Sequence, residues 1–150
     1  MTNFQRIGVL SNSHAGSSFE QLAEKYFLSK NFNINAKYSF ALGFQTKKVH
    51  VFDFGGKDDK GNDVIIECKS HKWTSGNNVP SAKMTVWNEA MLYFSLVPER
   101  TRKILFVLRD YSIKRNETLA EYYKRLNGHL IPHQVEILEC DLINNKVKLI

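Results

Sequence analysis

The sequence predicts one domain of the α/β (α+β) class, with a mixed central sheet flanked by helices. Two observations carry this. Apolar residues recur at helical spacing in some stretches and form β-branched runs in others, in the order helix, three strands, helix, strand, then a further helix and strands. The chain has 150 residues and is 43% hydrophobic, enough for one proper core and short for two. No repeat, low-complexity tract or linker divides it.

Gly16-Ser17-Ser18 leads into Phe19, Leu22, Ala23, Tyr26 and Phe27, whose spacing predicts a first helix over Ser18 to Ser29. Ser17, with Glu20 three residues on, fits a capping box at its start. Asn31 to Asn35 reads as a loop, and Lys37 to Phe44 as a strand rich in aromatic residues. Lys48 to Phe54 is the next strand, with His50, Phe52 and Phe54 on one face and Val49, Val51 and Asp53 on the other. Gly55-Gly56 and the polar run to Asn62 form a turn, which makes an antiparallel hairpin into Val64 to Lys69. Ser70 to Ser81 reads as a mobile polar loop, and Ser81 as the cap of a second helix. Met84, Trp87, Ala90, Met91 and Phe94 would be that helix's core face, and Pro98 ends it. Lys103 to Leu108 is a buried strand and Tyr111 to Asn116 a loop. Glu117 to Leu126 is a third helix carrying Leu119, Tyr122, Tyr123 and Leu126. Val135 to Leu142 and Lys146 to Ile150 form a closing hairpin that turns at Asn144-Asn145.

A formal charge of +6 and a pI near 9.3 favour a polyanionic partner. Lys47, Lys48, Lys57, Lys60, Lys69, Lys72 and Lys83 gather around the middle of the chain, although an ordinary solvated surface accounts for most of them singly. No apolar run approaches the roughly 20 residues that span a bilayer, and Met1 to Leu10 shows no secretory pattern. Cys68 and Cys140 have no regular spacing and read as buried thiols in a reducing cytoplasm. The absence of a CxxC pair and of HExxH argues against a structural zinc or a zincin site. Asp53-Phe54-Gly55 spells the kinase metal-binding tripeptide, but no His-Arg-Asp precedes it and the chain is too short for a kinase.

Val64-Ile65-Ile66-Glu67-Cys68-Lys69 organises the rest. It begins as a strand buried on both faces and then sets a carboxylate and an ammonium two residues apart, on one face. Desolvating both charges is costly, so a partner is expected for each. Asp53 ends the preceding strand, and neighbouring strands lie about 4.8 Å apart, within reach of a shared ion. Carboxylate oxygens suit Mg²⁺, and Lys69 would sit beside it to orient a water or steady charge on a phosphate. The plain alternative is a Glu67–Lys69 salt bridge. His71 and Trp73 continue the alternation toward the same cleft, and Lys72, Trp73, Asn77, Asn78 and Lys83 would form a loop suited to phosphates or a groove. An ordinary connecting loop is the rival for these residues. Trp87 reads as core.

Asp53 followed by Glu67-Cys68-Lys69 resembles the motif of the PD-(D/E)XK nuclease superfamily. The element order from Ser17 to Leu108 is similar to that family's restriction-endonuclease-like αβββαβ core. One departure is Phe52, where many members have Pro before the aspartate. The resemblance implies Asp53 and Glu67 as metal ligands, the Cys68 carbonyl as a third, and Lys69 as the catalytic lysine. Glu20 takes the place of a first-helix glutamate that many members use, in competition with its capping-box reading. The implied activity is a Mg²⁺-dependent DNA endonuclease, with Mn²⁺ as a substitute metal, and a homodimer where both strands of a duplex are cut. The rival expectations are a nucleic-acid-binding module without catalysis, an RNA-directed or small-molecule hydrolase, and an interaction protein.

Overall fold

A computed structural model describes residues 12–150, with side chains described from Ala15 onward; the reading of Met1 to Leu10 lies outside them. The elements are α1 (Asn12–Ser29), β1 (Asn33–Leu42), β2 (Lys48–Lys57), β3 (Asp63–Lys69), α2 (Ser81–Leu96), β4 (Arg102–Leu108), β5 (Tyr111–Ser112), β6 (Glu117–Thr118), α3 (Leu119–Asn127), β7 (Val135–Asp141) and β8 (Lys146–Leu149). Six strands form one mixed sheet in the order β1-β2-β3-β4-β7-β8, and β5 pairs with β6 in a small separate hairpin. β3, β4 and β7 run parallel; the remaining neighbours in the large sheet are antiparallel. No described helix is long and apolar enough to cross a membrane.

The sheet separates two cores. On one face Phe19, Ala23 and Phe27 of α1 pack on Phe54, Val64, Ile66, Cys68, Ile104 and Phe106. On the other, α2 and α3 cover Phe52, Ile65, Leu105, Val107 and Ile137 with Trp87, Met91, Phe94 and Tyr123. β3 and β4 are therefore apolar on both faces, as strands under two helical layers must be. The crossovers β3–α2–β4 and β4–α3–β7 step the same way across the sheet and lie over the same face, so they share one hand.

One irregularity shapes the functional end. β1 and β2 keep a constant register, yet the pair Lys37 and Asp53 is missing from a ladder that holds at Ala36–Phe54 and again at Tyr38–Phe52. Lys37 there has a left-handed backbone, φ 55, a conformation that costs on the order of 1 kcal/mol for a residue other than glycine. Its consequence is a reversal of faces. Ile34 and Phe54, before the break, point into the α1 core; Phe52 and Leu42, beyond it, belong to the α2 core, with Tyr38 and Phe40 packed against them. Strict alternation would have put Phe52 and Phe54 together, and that expectation fails here. Gly55 makes the twist possible, because a Cβ at that position would lie 2.3 Å from the Tyr38 ring.

Other differences have local causes. Helix α1 is already formed at Asn12, so Ser17 lies inside it and cannot cap its start. Ser81 is the first residue of α2 rather than its cap, and Pro80 in the cap position offers no side-chain bond. The capping box the chain does possess is Thr118 with Glu121, at the start of α3. Tyr111 to Asn116, expected as a loop, includes β5 and the turn into β6. Loop 70–80 is tied down: the Trp73 backbone N–H donates to Asp110 Oδ2 at 2.8 Å and its indole N–H to the Asp110 carbonyl at 3.0 Å. Both cysteines are buried free thiols, as expected.

Candidate functional site

β2 stops pairing with β3 at Phe54–Ile66, one residue short of Asp53 and Glu67. Beyond that point the two strands are unpaired, and there the charged residues gather. Asp53 fills the lapse in the ladder with its own side chain: the Cys68 backbone N–H donates to Asp53 Oδ2 at 2.7 Å. Glu67, nine-tenths buried, stands beside it, with Lys69 Nζ 3.5 Å from Glu67 Oε1. The second oxygen, Glu67 Oε2, is buried without a hydrogen-bond partner. Glu20 reaches the same place from α1 and hydrogen-bonds the Asp53 carboxylate.

The electrostatics follow from this crowding. Burial, then the charge of Asp53, pushes the Glu67 carboxyl up to about 8, with Lys69 pulling against both. Asp53 is also raised by burial, and the Cys68 amide and Lys69 hold it back. Glu20 is raised by burial and by Asp53. Glu20 and Asp53 hydrogen-bond one another and both are raised, so the pair holds on to a proton that two separate carboxylates would release. Three acidic groups thus meet under conditions that disfavour three negative charges.

Among the described residues, no three His, Cys, Asp or Glu side chains form a ready cage for a metal. Mg²⁺ does not require one, since it is commonly held by one or two carboxylates with waters completing its shell. The residues present fit such an ion through an orphaned acceptor, Glu67 Oε2, and through neighbouring carboxyls that a divalent charge would allow to ionise.

The remaining residues singled out from sequence divide. His71 accepts a hydrogen bond at Nδ1 from Trp87 Nε1, 2.8 Å away. Burial, with Lys69 and Lys83 nearby, pushes it down to about 4, so at neutral pH it is an uncharged imidazole rather than a cation for phosphate. Trp73 is buried and faces Tyr122, with Arg115 over its ring, and so is not exposed for groove entry. Asn77 ties the loop to the β5–β6 hairpin, its carbonyl accepting from Arg115 Nε at 2.8 Å. Asn78 closes a local turn through Thr74. Lys72 is half-buried and Lys83 exposed on the first turn of α2.

Sequence reasoning missed His50 and Lys37. His50 stacks on Tyr93 at 3.6 Å and feels the charges of Glu89, Lys69 and Asp53. Its place three residues before Asp53 was visible, but its partner on α2 was not. Lys37 owes its position to a backbone angle that composition does not reveal.

Two clefts of about 430 and 460 Å³ lie away from this centre. In the first, Arg102 is already engaged by Glu136 and Asp58.

No family model matches the chain, and no curated protein does. Among solved structures, the crystal structure of SSO0001 is similar at 13% identity and a TM-score of 0.40, over 98% of this chain and 56% of that one. The chain spans little more than half the length of that protein.

Proposed function

We propose that this chain is a Mg²⁺-dependent nuclease with a restriction-endonuclease-like core, hydrolysing phosphodiester bonds in DNA. The observation that carries the reading is the lapse between β2 and β3, where Asp53 and Glu67 face one another with Glu20 and Lys69 beside them. A structural ion pair alone accounts poorly for this arrangement: it leaves Glu67 Oε2 unpartnered and brings in two further acids. Asp53 and Glu67 would hold the ion, with the Cys68 carbonyl as a possible third ligand. When bound, Mg²⁺ supplies charge neutralisation at the scissile phosphate and a more acidic water.

The protein's own groups do the rest. Lys69, half-buried beside Glu67, is placed to hold the attacking water or the developing charge on phosphate. Glu20, hydrogen-bonded to Asp53, would steady that carboxylate and share its proton as the centre ionises. Two copies of the chain across a duplex would suit double-strand cleavage.

The test is plasmid cleavage with Mg²⁺, with and without chelator, by the wild type and by Asp53→Ala, Glu67→Ala and Lys69→Met. Loss of cleavage in the chelator and in all three variants is expected. Cleavage that persists in Asp53→Ala and Glu67→Ala would end the proposal.

A further inference from the structure

Lys37 is the odd residue among those with a left-handed backbone. The other non-glycine residues described with positive φ are Asn31, Asn77, Asn116 and Asn145, the side chain that tolerates this region best. Gly61, at φ 82, uses the residue that adopts it freely. A long cationic side chain has no such aptitude, and glycine at position 37 would give the same twist without strain.

The position explains what the ammonium could be for. Lys37 stands on β1 opposite Asp53, on the side of β2 away from β3 and Lys69. Its side chain is exposed, and its charge acts on the Glu20 carboxyl, as does that of Lys69. The carboxylates are therefore bracketed by two ammonium groups, one from each neighbouring strand. Lys69 is packed against Glu67, whereas Lys37 enters no ion pair among the described residues.

We propose that Lys37 is a substrate-contacting residue that holds a backbone phosphate of nucleic acid on the β1 side of the acidic centre. The inference rests on the nuclease reading above and assigns binding to Lys37, where Lys69 serves the chemical step. A lysine on an edge strand can also serve to discourage pairing with another chain. That role needs no left-handed backbone and makes no contact whose loss salt would report.

The experiment measures binding of a fluorescent DNA duplex in chelator across a series of salt concentrations, for wild type, Lys37→Gly and Lys37→Met. Lys37→Gly should fold with a Tm at or above wild type. Both variants should bind more weakly, by a similar factor for different duplex sequences. The slope of log K against log salt should fall by about 0.9, the loss of one phosphate contact. With Mg²⁺, KM should rise while kcat is retained, in contrast to Lys69→Met. Unchanged affinity and salt slope in both variants would overturn the inference, and if Asp53→Ala still abolishes cleavage in that case, the nuclease reading stands without it. A wild type that neither binds nor cleaves removes both.

Discussion

Glu67 couples pH to the stability of this fold. Its carboxyl titrates at about 8 in the fold, against an ordinary 4.5. Between those values the folded chain keeps a proton that the unfolded chain has released, so this residue makes stability fall as pH rises. His71 works the other way. Its fold value of about 4, against 6.5, leaves the folded ring neutral where the unfolded ring is charged, so it makes stability rise with pH up to 6.5. The two oppose one another between about 4.5 and 6.5, and above that the Glu67 contribution is no longer offset by His71. We expect the Tm of the metal-free protein to decline between pH 6.5 and 8, and Glu67→Gln to flatten that decline while abolishing Mg²⁺-dependent cleavage. An equal slope in the variant would show the assignment to be wrong. A second expectation concerns Trp87, whose indole N–H bonds the unprotonated Nδ1 of His71. Trp87→Phe should raise the His71 pKa toward its ordinary value, read by NMR titration of the ring.

At the scale of the elements, the β1–β2 hairpin decides the site. Gly55→Ala would drive a Cβ against the Tyr38 ring, and a loss of about 1–3 kcal/mol is expected from denaturant unfolding. The same hairpin marks where sequence stops being informative. The α2 core face of Met84, Trp87, Ala90, Met91 and Phe94 and the closing hairpin with Asn145 at its turn were legible, because period and turn chemistry are local. The β1–β2 hairpin's two strands were legible only in their middles: β1 starts at Asn33, inside the expected loop, and β2 runs on through Gly55 and Gly56, the expected turn, so Asp53 lies within the strand and not at its end. Asp53, Glu67 and Lys69 were legible as a group for the same reason: two adjacent strands bring them together. The face reversal was not, since it depends on one residue leaving the β region against its own preference. Glu20 was left between two readings that only the true start of α1 could separate. Trp73 looked available because nothing local announces a bond to Asp110, 37 residues away.

For the molecule as a whole, the sheet carries two unequal burdens. Phe106 is the hub of the α1 side, with ring centroids 5.3 Å from Phe19 and Phe27 and 5.6 Å from Tyr26. Truncating it to alanine should cost about 3–5 kcal/mol, which at this chain length is a fall in Tm of roughly ten degrees. Because α1 brings Glu20 to the acidic centre, the same variant should lose cleavage at temperatures where it is still folded. Phe94→Ala, on the opposite face, stacks on Phe52 and should disturb the far half of the hairpin instead. A Phe106→Ala protein that remained fully active would detach α1 from the site.

The bond from the Cys68 amide to Asp53 has a practical corollary. At this level β2 and β3 share no ladder, so that N–H is sheltered by a titratable acceptor instead of a neighbouring strand. An incoming cation that draws Asp53 Oδ2 away leaves the amide without its acceptor, and its hydrogen then exchanges faster. One backbone position near the end of β3 is thereby a built-in reporter of occupancy, readable in solution without a label.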